Sequence, residues 1–593
     1  MLNLKKSVHV PTESASYSNM FSSTNSTSAK KLNKAVNYIG SSAKNKQTSN
    51  DLNFFIFIHF GIMKDLFEEF SRCSECSSPV KLTHNKNEHK GFSLKLCIKC
   101  SVCSACRFSY TSPQYIPLQK SKTVKKAHEI NYRTVMAFRE IGKGHAGIET
   151  FTTMMNMPFS IAFTTYKKIN KTLYCAYEKS AEKSTQKAAY EVRQMININA
   201  CSNDIVDCHI SIDGTWQKRG YSSLNGVVSA ISKDNKKVLD YYTMSKFCKS
   251  CEIWSKKKGS AGYELWRTRL WRTRHKCAIN VTLWRTRHKC ARHKCDHESS
   301  GAMESAGAIS IFCSSLSKFN LRYSHYIGNG DTKAYSKVRE ARPYGETLIP
   351  EKLECLGHVQ KRLGTRLRNL RAIKKKEKLN DSKTLLGKGR LTDASINLMQ
   401  NYFGMAIRQN DKLYPMKKAV LAVLWHCCEG ERTNTSWCKW QRDKITGQCT
   451  YKNKLNLPVA IKDLLHPIFM ELSSDNLLSK CLHSYTQNPN ESFNQIIWEK
   501  CPKTHFVSNN VLELAVFSAV ISFNGGYVSH KETFKQLGFH CGKYFLLGAI
   551  KKDKNRVIHM ERKEKEVTKS RRKKLRGIKK GFSKDDSYVS GNF

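Results

Sequence analysis

Hydrophobic and polar positions change period several times along the chain, and those changes divide it. Residues 1 to 52 are rich in Ser, Asn, Thr and Lys without apolar periodicity, so burial cannot offset the entropy of ordering them and they are expected to be disordered. Phe54 to Met63 is the most apolar run, ten residues including His59. It is too short for a membrane-crossing helix, which needs about 20 residues, and predicts a buried helix or strand. Asn131 to Met195 has helical spacing in sets such as Phe151, Met154, Met155 and Tyr166, Ile169, Leu173. From Cys208 the period drops to two, with Cys208, Ile210 and Ile212 alternating with polar neighbours, and Tyr221 to Ser232 and Lys237 to Lys246 follow as further strands of an antiparallel meander. Gly301 to Phe319 returns to helical spacing through Met303, Ala306, Ile309, Phe312, Leu316 and Phe319, and the aromatic Arg322 to Ile327 reads as a fourth strand.

At 593 residues the chain predicts two to four folded units. Lys and Arg number 101 against 48 Asp and Glu, a net charge of +53 that repels itself unless a polyanion neutralises it, so the expected partner is DNA or RNA. With 40% hydrophobic residues this is no mere basic tail. The 23 Cys are too dilute for a disulfide scaffold, and Met1-Leu-Asn-Leu-Lys-Lys opens no apolar signal core. Reduced thiols and a nuclear or cytosolic location are expected. The block Lys551 to Lys580, centred on Lys569 to Arg576, reads as a solvated tail able to contact phosphate and to direct nuclear import. Leu265 to Arg269 recurs as Leu270 to Arg274, Leu270 to Cys277 recurs as Leu283 to Cys290, and Arg-His-Lys-Cys returns at Arg292 to Cys295. Copies so short and irregular cannot stack as a solenoid and read as a tandem duplication inside a loop.

Cys73-x2-Cys76 is followed by Cys97, Cys100, Cys103 and Cys106, each two residues from the next. Two pairs of this kind can close a tetrahedral thiolate site, a structural zinc ribbon. Cys73 and Cys76 are taken with Cys100 and Cys103 (C-x2-C-x23-C-x2-C), Cys97 and Cys100 (C-x2-C-x20-C-x2-C) fit as well, and the spacing leaves open which two of the last four ligate. Cys248-x2-Cys251, followed by Cys277, Cys290, Cys295 and His297, offers a second candidate pair with several competing partners. Cys355-x2-His358 places two donors on one helical face. Three acids complete the candidates: Asp213 after the first strand, Asp331 after Tyr326-Ile-Gly-Asn-Gly, and Glu491 in Thr486-Gln-Asn-Pro-Asn-Glu-Ser-Phe-Asn494. There Asn488 can cap, Pro489 suits the first helical position, and Phe493 and Ile497 define a buried face. Convergent hard oxygens are what paired Mg2+ or Mn2+ ions need for phosphodiester chemistry.

The strings Ile212 to Gly220, Gly301-Ala-Met-Glu-Ser-Ala-Gly307, Lys352-Leu-Glu-Cys-Leu-Gly-His-Val-Gln-Lys-Arg362 and Thr486 to Asn494 closely resemble the Mutator-like transposase domain of animal genomes, over about Cys73 to Leu547. The resemblance implies a ribonuclease-H-like core with two aspartates and a glutamate. Asp213 and Glu491 fall on the first and third of these, and Cys355 and His358 on a Cys-x2-His element between the second and third. At the second acid the family usually reads Gly-Asp-Gly-Asp or Ala-Asp-Gly-Asp. Here the first aspartate is Asn329 and only Asp331 remains. The stretch Leu391 to Ile407, with Leu398, Tyr402, Phe403 and Ala406, continuing to Trp425, resembles the family's helical insertion.

The expected fold is therefore α/β, a ribonuclease-H-like core with a helical insertion, preceded by a zinc ribbon and a helical module, with disordered basic ends. The expected segments are 1–52, a zinc-ribbon-like module 53–112, helices 125–200, the first core part 205–335 with its duplicated loop 248–297, the Cys/His element and insertion 336–480, final core helices 481–550, and the tail 551–593. The implied function is metal-dependent DNA cleavage and transfer by Asp213, Asp331 and Glu491 with Mg2+ or Mn2+, alongside structural Zn2+. Double-stranded DNA, as transposon ends and target, would be the partner, in a nuclear protein without a membrane span that forms homo-oligomers. Asn329 keeps an alternative open, a catalytically inactive transposon-derived DNA-binding protein.

Overall fold

The computed structural model describes residues 54–115, 127–158, 160–197, 204–218, 223–245, 253, 256–265, 300–328, 332–428, 447, 455–483 and 485–564. The first 52 residues, Cys248, Cys251, most of the duplicated loop, Asn329, Asp331 and the end of the basic tail lie outside them. The chain gathers into two units, Met1–Lys187 with Gln495–Asp585, and Ala188–Asn494 with Asp586–Phe593.

The first unit opens with α1 (Phe60–Phe70) and a three-stranded antiparallel sheet of β1 (Val80–His84), β2 (Lys95–Cys100) and β3 (Cys106–Tyr110). A short ladder of β4 (Gln114–Tyr115) and β5 (Ala127–His128) leads to α2 (Glu129–Glu140), α3 (His145–Met154) and the long α4 (Phe163–Ile196). The buried element expected at Phe54 to Met63 is not buried. Ile56 and Phe57 are 68% and 74% exposed, and α1 buries no residue fully. The helix starts only at Phe60, where His59 Nδ1 accepts from the Ile62 N–H at 3.4 Å, and the run before it has no strand partner among the described residues to cover its alternate faces. Met154 and Met155, members of a helically spaced apolar set, are likewise exposed at the end of α3, whereas Tyr166, Ile169 and Leu173 of α4 are buried.

The second unit holds a five-stranded sheet. β6 (Val206–Trp216), β7 (Asn225–Ser232) and β8 (Val238–Ser245) run antiparallel. α5 (Ser300–Phe319) then leads to β9 (Leu321–Gly328), which pairs parallel with β6, and after α6 (Thr332–Ala341) β10 (Glu351–Glu354) pairs parallel with β9. The spatial order is β10-β9-β6-β7-β8, so β6 lies at the centre. Val206, Cys208, Ile210 and Ile212 point to one face of β6 and join Met303, Ile311 and Phe312 of α5 in one core. The buried stripe of α5 runs through Met303, Gly307, Ala308, Ile311, Phe312, Ser315 and Phe319, rotated from the expected one in its middle. Gly307 accounts for the rotation, because a Cβ there would sit 2.7 Å from Val228 Cγ2; helix and strand approach too closely for a side chain between them.

Beyond β10 the chain is helical: α7 (Leu356–Ile373), α8 (Asp393–Arg408), α9 (Leu413–Cys427), α10 (Val459–Leu472) and α11 (Asn488–Lys500). Leu363, Leu367, Met399, Phe403, Val420 and Phe469 belong to a second core, formed by α7 to α10. Thr392 caps α8 by accepting from the Ser395 N–H at 3.2 Å.

α12 (Asn509–Gly525), α13 (Lys531–Leu537) and α14 (Lys543–Glu564) return to the first unit, whose interior contains a charged network. Glu140 of α2 pairs with Lys500 and accepts from Tyr177 Oη at 2.9 Å and Ser518 Oγ at 2.5 Å. Burial alone would raise this carboxyl, but the charges of His530 and Lys500 with the hydrogen bonds hold it at about 2. Burial holds His530 itself at about 4, so at neutral pH it is uncharged and Lys500 supplies the pairing. Both shifts lower stability in acid. An unfolded His530 takes up a proton from about its ordinary 6.5 downward while the folded one resists, and the Glu140 contribution, complete above 4.5, is lost as pH falls towards 2. The Glu140 part amounts to about 3 kcal/mol at neutral pH. Glu140→Gln should flatten the lower limb of a stability-against-pH curve and His530→Asn the upper limb, as read by urea denaturation; parallel curves for wild type and both variants would refute this account.

Candidate metal centres

The Cys73-x2-Cys76 turn precedes β1, and Cys100-x2-Cys103 occupies the hairpin between β2 and β3. The four Sγ atoms all lie within 4.8 Å of one another. Each turn bends tightly: the Ser77 N–H donates to Cys73 O at 2.9 Å, and the Cys100 N–H to Ala105 O at 2.8 Å. Ser77 and Ser104 take left-handed backbone with φ of 57° and 61°. The N–H groups of Val102 and Cys103 point at Cys100 Sγ, at 3.3 and 3.4 Å, stabilising negative charge on that sulfur. Hydrogen bonds from Ser78 and neighbouring thiols draw Cys76 down to about 6. Cys103 is pulled down by the Ala105 amide yet pushed up to about 12 by the crowding thiols. Four sulfurs so crowded share protons that a soft or borderline cation would displace, and the cluster can bind a metal such as zinc.

Cys97 and Cys106, the two remaining thiols of the series, stand apart from this set. Their sulfurs are 3.0 Å from one another, on β2 and β3, where Cys106 pairs with Lys99 and Cys97 with Phe108.

Asp213 lies within β6 rather than beyond it, half-buried on the face opposite the α5 core. The segment leading into α11 runs alongside. Tyr485 O accepts from the Leu356 N–H at 3.0 Å, and the Gln487 N–H approaches Cys355 Sγ at 3.3 Å. Gln487 Nε2 donates to Ile212 O at 2.7 Å, Asn490 Nδ2 to Ser211 O at 3.2 Å and Asn494 Nδ2 to Asp213 Oδ2 at 2.8 Å. Three amides spaced three and four apart, Gln487 just ahead of α11 and Asn490 and Asn494 within it, thus read three successive residues of β6.

This docking brings Glu491, exposed in the first turn of α11, into the field of Asp213. Burial raises the Asp213 carboxyl to about 7; Asn494 opposes the rise, the Glu491 charge adds to it, and the Gly214 amide opposes it. A carboxyl held near neutrality beside a second carboxylate is a place where a cation can substitute for a proton. Around it lie buried polar atoms without partners: Asn494 Oδ1, Asn490 Oδ1, Gln487 Oε1 and His358 Nδ1. The oxygens and the two acids fit a hard divalent cation.

Cys355 precedes the first turn of α7 and His358 lies in that turn; Glu491 also acts on His358, whose pKa burial lowers. The structure thus brings Asp213, Glu491 and His358 within electrostatic range. It does not describe Asp331, Cys248 or Cys251, and among the described residues only the four-Cys group assembles three or more candidate donors. The Gln487, Asn490 and Asn494 series had no assigned role in the sequence, although its helical spacing around buried Phe493 was the available signal.

A family model described as Mutator-like transposase matches residues 55–444, well over half of the chain. The chain belongs to the Mutator-like transposase family. The matched span takes in the four-Cys cluster, Asp213 and the Cys355/His358 pair of this transposase and ends before α11, so the placing of Glu491 rests on the helix docking alone. No curated protein matches the sequence. No described helix is long and apolar enough to cross a membrane.

One zinc per chain is the expected stoichiometry for the first cluster, measured by elemental analysis of the purified protein. Cys73→Ser, Cys76→Ser, Cys100→Ser and Cys103→Ser should each lower zinc retention, and Cys97→Ser and Cys106→Ser should not. Loss of zinc in Cys97→Ser with retention in Cys103→Ser would give the second pair to Cys97 and Cys100.

Proposed function

We propose that the chain is a DNA transposase that cleaves and transfers strands on a ribonuclease-H-like core, with Asp213, Asp331 and Glu491 as the divalent-metal ligands. The observation that carries this reading is the docking of α11 on β6, which sets Glu491 beside Asp213 in a chain of a transposase family. The sheet supports the core assignment, with three antiparallel strands, a helix and two parallel strands arranged around a central β6 that bears Asp213. The four-Cys cluster is read as a structural zinc site that stiffens the module ahead of the core.

Bound Mg2+ or Mn2+ would supply activation of a nucleophile and charge stabilisation at the leaving oxygen of a phosphodiester. The residues do the positioning. Asn494 fixes one oxygen of Asp213, Gln487 and Asn490 fix the helix that carries Glu491, and His358, uncharged at neutral pH, adds no repulsion to an approaching cation. Asn329, at the place of an expected aspartate, favours a second reading, an inactive DNA-binding descendant. A magnesium-dependent nicking assay on a transposon-end duplex separates the two. The proposed three-acid site predicts cleavage by the chain as it stands that Asp213→Ala, Asp331→Ala or Glu491→Ala each abolishes, whereas the inactive reading predicts little cleavage until Asn329→Asp restores the charge. Cleavage that survives loss of each acid in turn would discard the site. Cutting by the unmodified chain that Asp331→Ala removes would assign the second ligand to Asp331.

DNA is the proposed partner and the nucleus the proposed location. The basic stretch Lys361 to Lys378 is less available than its charge implies. Arg362 pairs with Glu354 and Arg366 with Glu471, both at 2.5 Å, and Arg371 with Asp393 at 3.2 Å. These ion pairs leave Lys361, Lys375, Lys376 and Lys378 exposed for phosphate contact. Replacing these four lysines with Ala should reduce the slope of log affinity against log salt by about 3 to 4, at roughly 0.9 per phosphate contact, as measured by fluorescence anisotropy. An unchanged slope would remove this face from the DNA-binding surface.

A further inference from the structure

We infer that the side-chain oxygen of Asn494 is a third protein ligand for the divalent cation at the Asp213 and Glu491 site. The inference rests on the proposed reading of those two acids as metal ligands and adds a residue that the three-acid scheme does not contain.

The argument begins with orientation. Asn494 turns its NH2 towards Asp213 Oδ2, to which it donates at 2.8 Å. Oδ1 is then the half of the amide not spent on Asp213, and this oxygen is buried and has no partner. A buried carbonyl oxygen without a donor is costly to keep. Gln487 and Asn490 also leave an oxygen unpaired, but their nitrogens are spent on the main-chain carbonyls of Ile212 and Ser211, where they fix the helix. Asn494 differs because its nitrogen holds the metal-site carboxylate itself.

Position supports the same assignment. Asn494 follows Glu491 by three residues in α11, so the two side chains project from one helical face, and that face meets β6 at Asp213. Magnesium and manganese take oxygen ligands, amide carbonyls included. A neutral third oxygen adds coordination without adding repulsion between two carboxylates. It would also lessen the deficit left where Asn329 stands for an acid.

The test is Mn2+ binding to the full-length, zinc-loaded protein, read from the loss of the free-ion electron paramagnetic resonance signal. It is run in the chain as it stands and in an Asn329→Asp background, with circular dichroism as the folding control. Asn494→Ala should weaken Mn2+ binding at least tenfold. Asn494→Asp should bind at least as tightly as the parent, since a carboxylate can ligate although it cannot donate to Asp213. A purely positioning role predicts the opposite for Asn494→Asp, because it loses the donor and gains a repelling charge. Binding by Asn494→Ala equal to the parent, or by Asn494→Asp no better than by Asn494→Ala, overturns the inference while Asp213→Ala still abolishes binding. If Asp213→Ala leaves binding unchanged, or if neither background binds Mn2+, the two-acid site itself fails, and this inference with it.

Discussion

The candidate catalytic arrangement depends on one docking contact, the amides of Gln487, Asn490 and Asn494 against consecutive residues of β6. Asp213 and Glu491 are 278 positions apart in the chain, and closing so long a loop gives no reward until the final contact forms. Apolar packing through Phe493 supplies attraction, but apolar packing is indifferent to a shift of one turn. Hydrogen bonds to Ser211 O, Ile212 O and the Asp213 carboxylate are not, because each slip would strand several buried polar groups. Register, and with it the meeting of the two acids, is therefore set by polar groups inside a mostly apolar interface.

How much of this was legible in the sequence follows from the range of the interactions. The alternation Cys208, Ile210, Ile212 and the β7 and β8 runs were readable because each is a local period imposed by one buried face, and the observed strands at Val206–Trp216, Asn225–Ser232 and Val238–Ser245 match them closely. The stripe of α5 was readable at Met303, Phe312 and Phe319 but not between them. There Gly307 controls the helix orientation through the space it lacks, and hydrophobicity scales carry no such information. Phe54 to Met63 misled for a related reason: a run of apolar residues states a preference for burial but cannot provide the surface that would bury it. Of the site, the spacing of the Cys pairs pointed to the cluster and left its second pair open. Asp213 and Glu491 came from motif resemblance, while the three amides were invisible as a group until their partners on β6 were known.

Charge shows the same distinction between content and arrangement. The excess of cations is large, yet several of the arginines on α7 are spent on Glu354, Glu471 and Asp393. Arginine suits this use because its planar fork stays charged and can grip a carboxylate at a helix surface, whereas the lysines that remain exposed on the same helix and just beyond it are better hydrated. In the interior of the first unit one lysine, Lys500, does the reverse and keeps Glu140 ionised among helices.

The three-residue spacing of Cys97, Cys100, Cys103 and Cys106 is a degenerate code, since any neighbouring two satisfy the same knuckle. The β2 and β3 ladder reads that code unambiguously. To exchange one pair for the next, a strand would have to slide by three positions, and an odd slide turns every inward side chain of a period-two strand outward. Pairing of Lys95 to Lys99 with Cys106 to Tyr110 thus acts as a frame-keeper that sets Cys100, at the end of β2, and Cys103, in the turn after it, apart from Cys97 and Cys106. A deletion or insertion of one residue within either strand would break that frame and pull thiols out of reach of Cys73 and Cys76 without altering the number of cysteines at all.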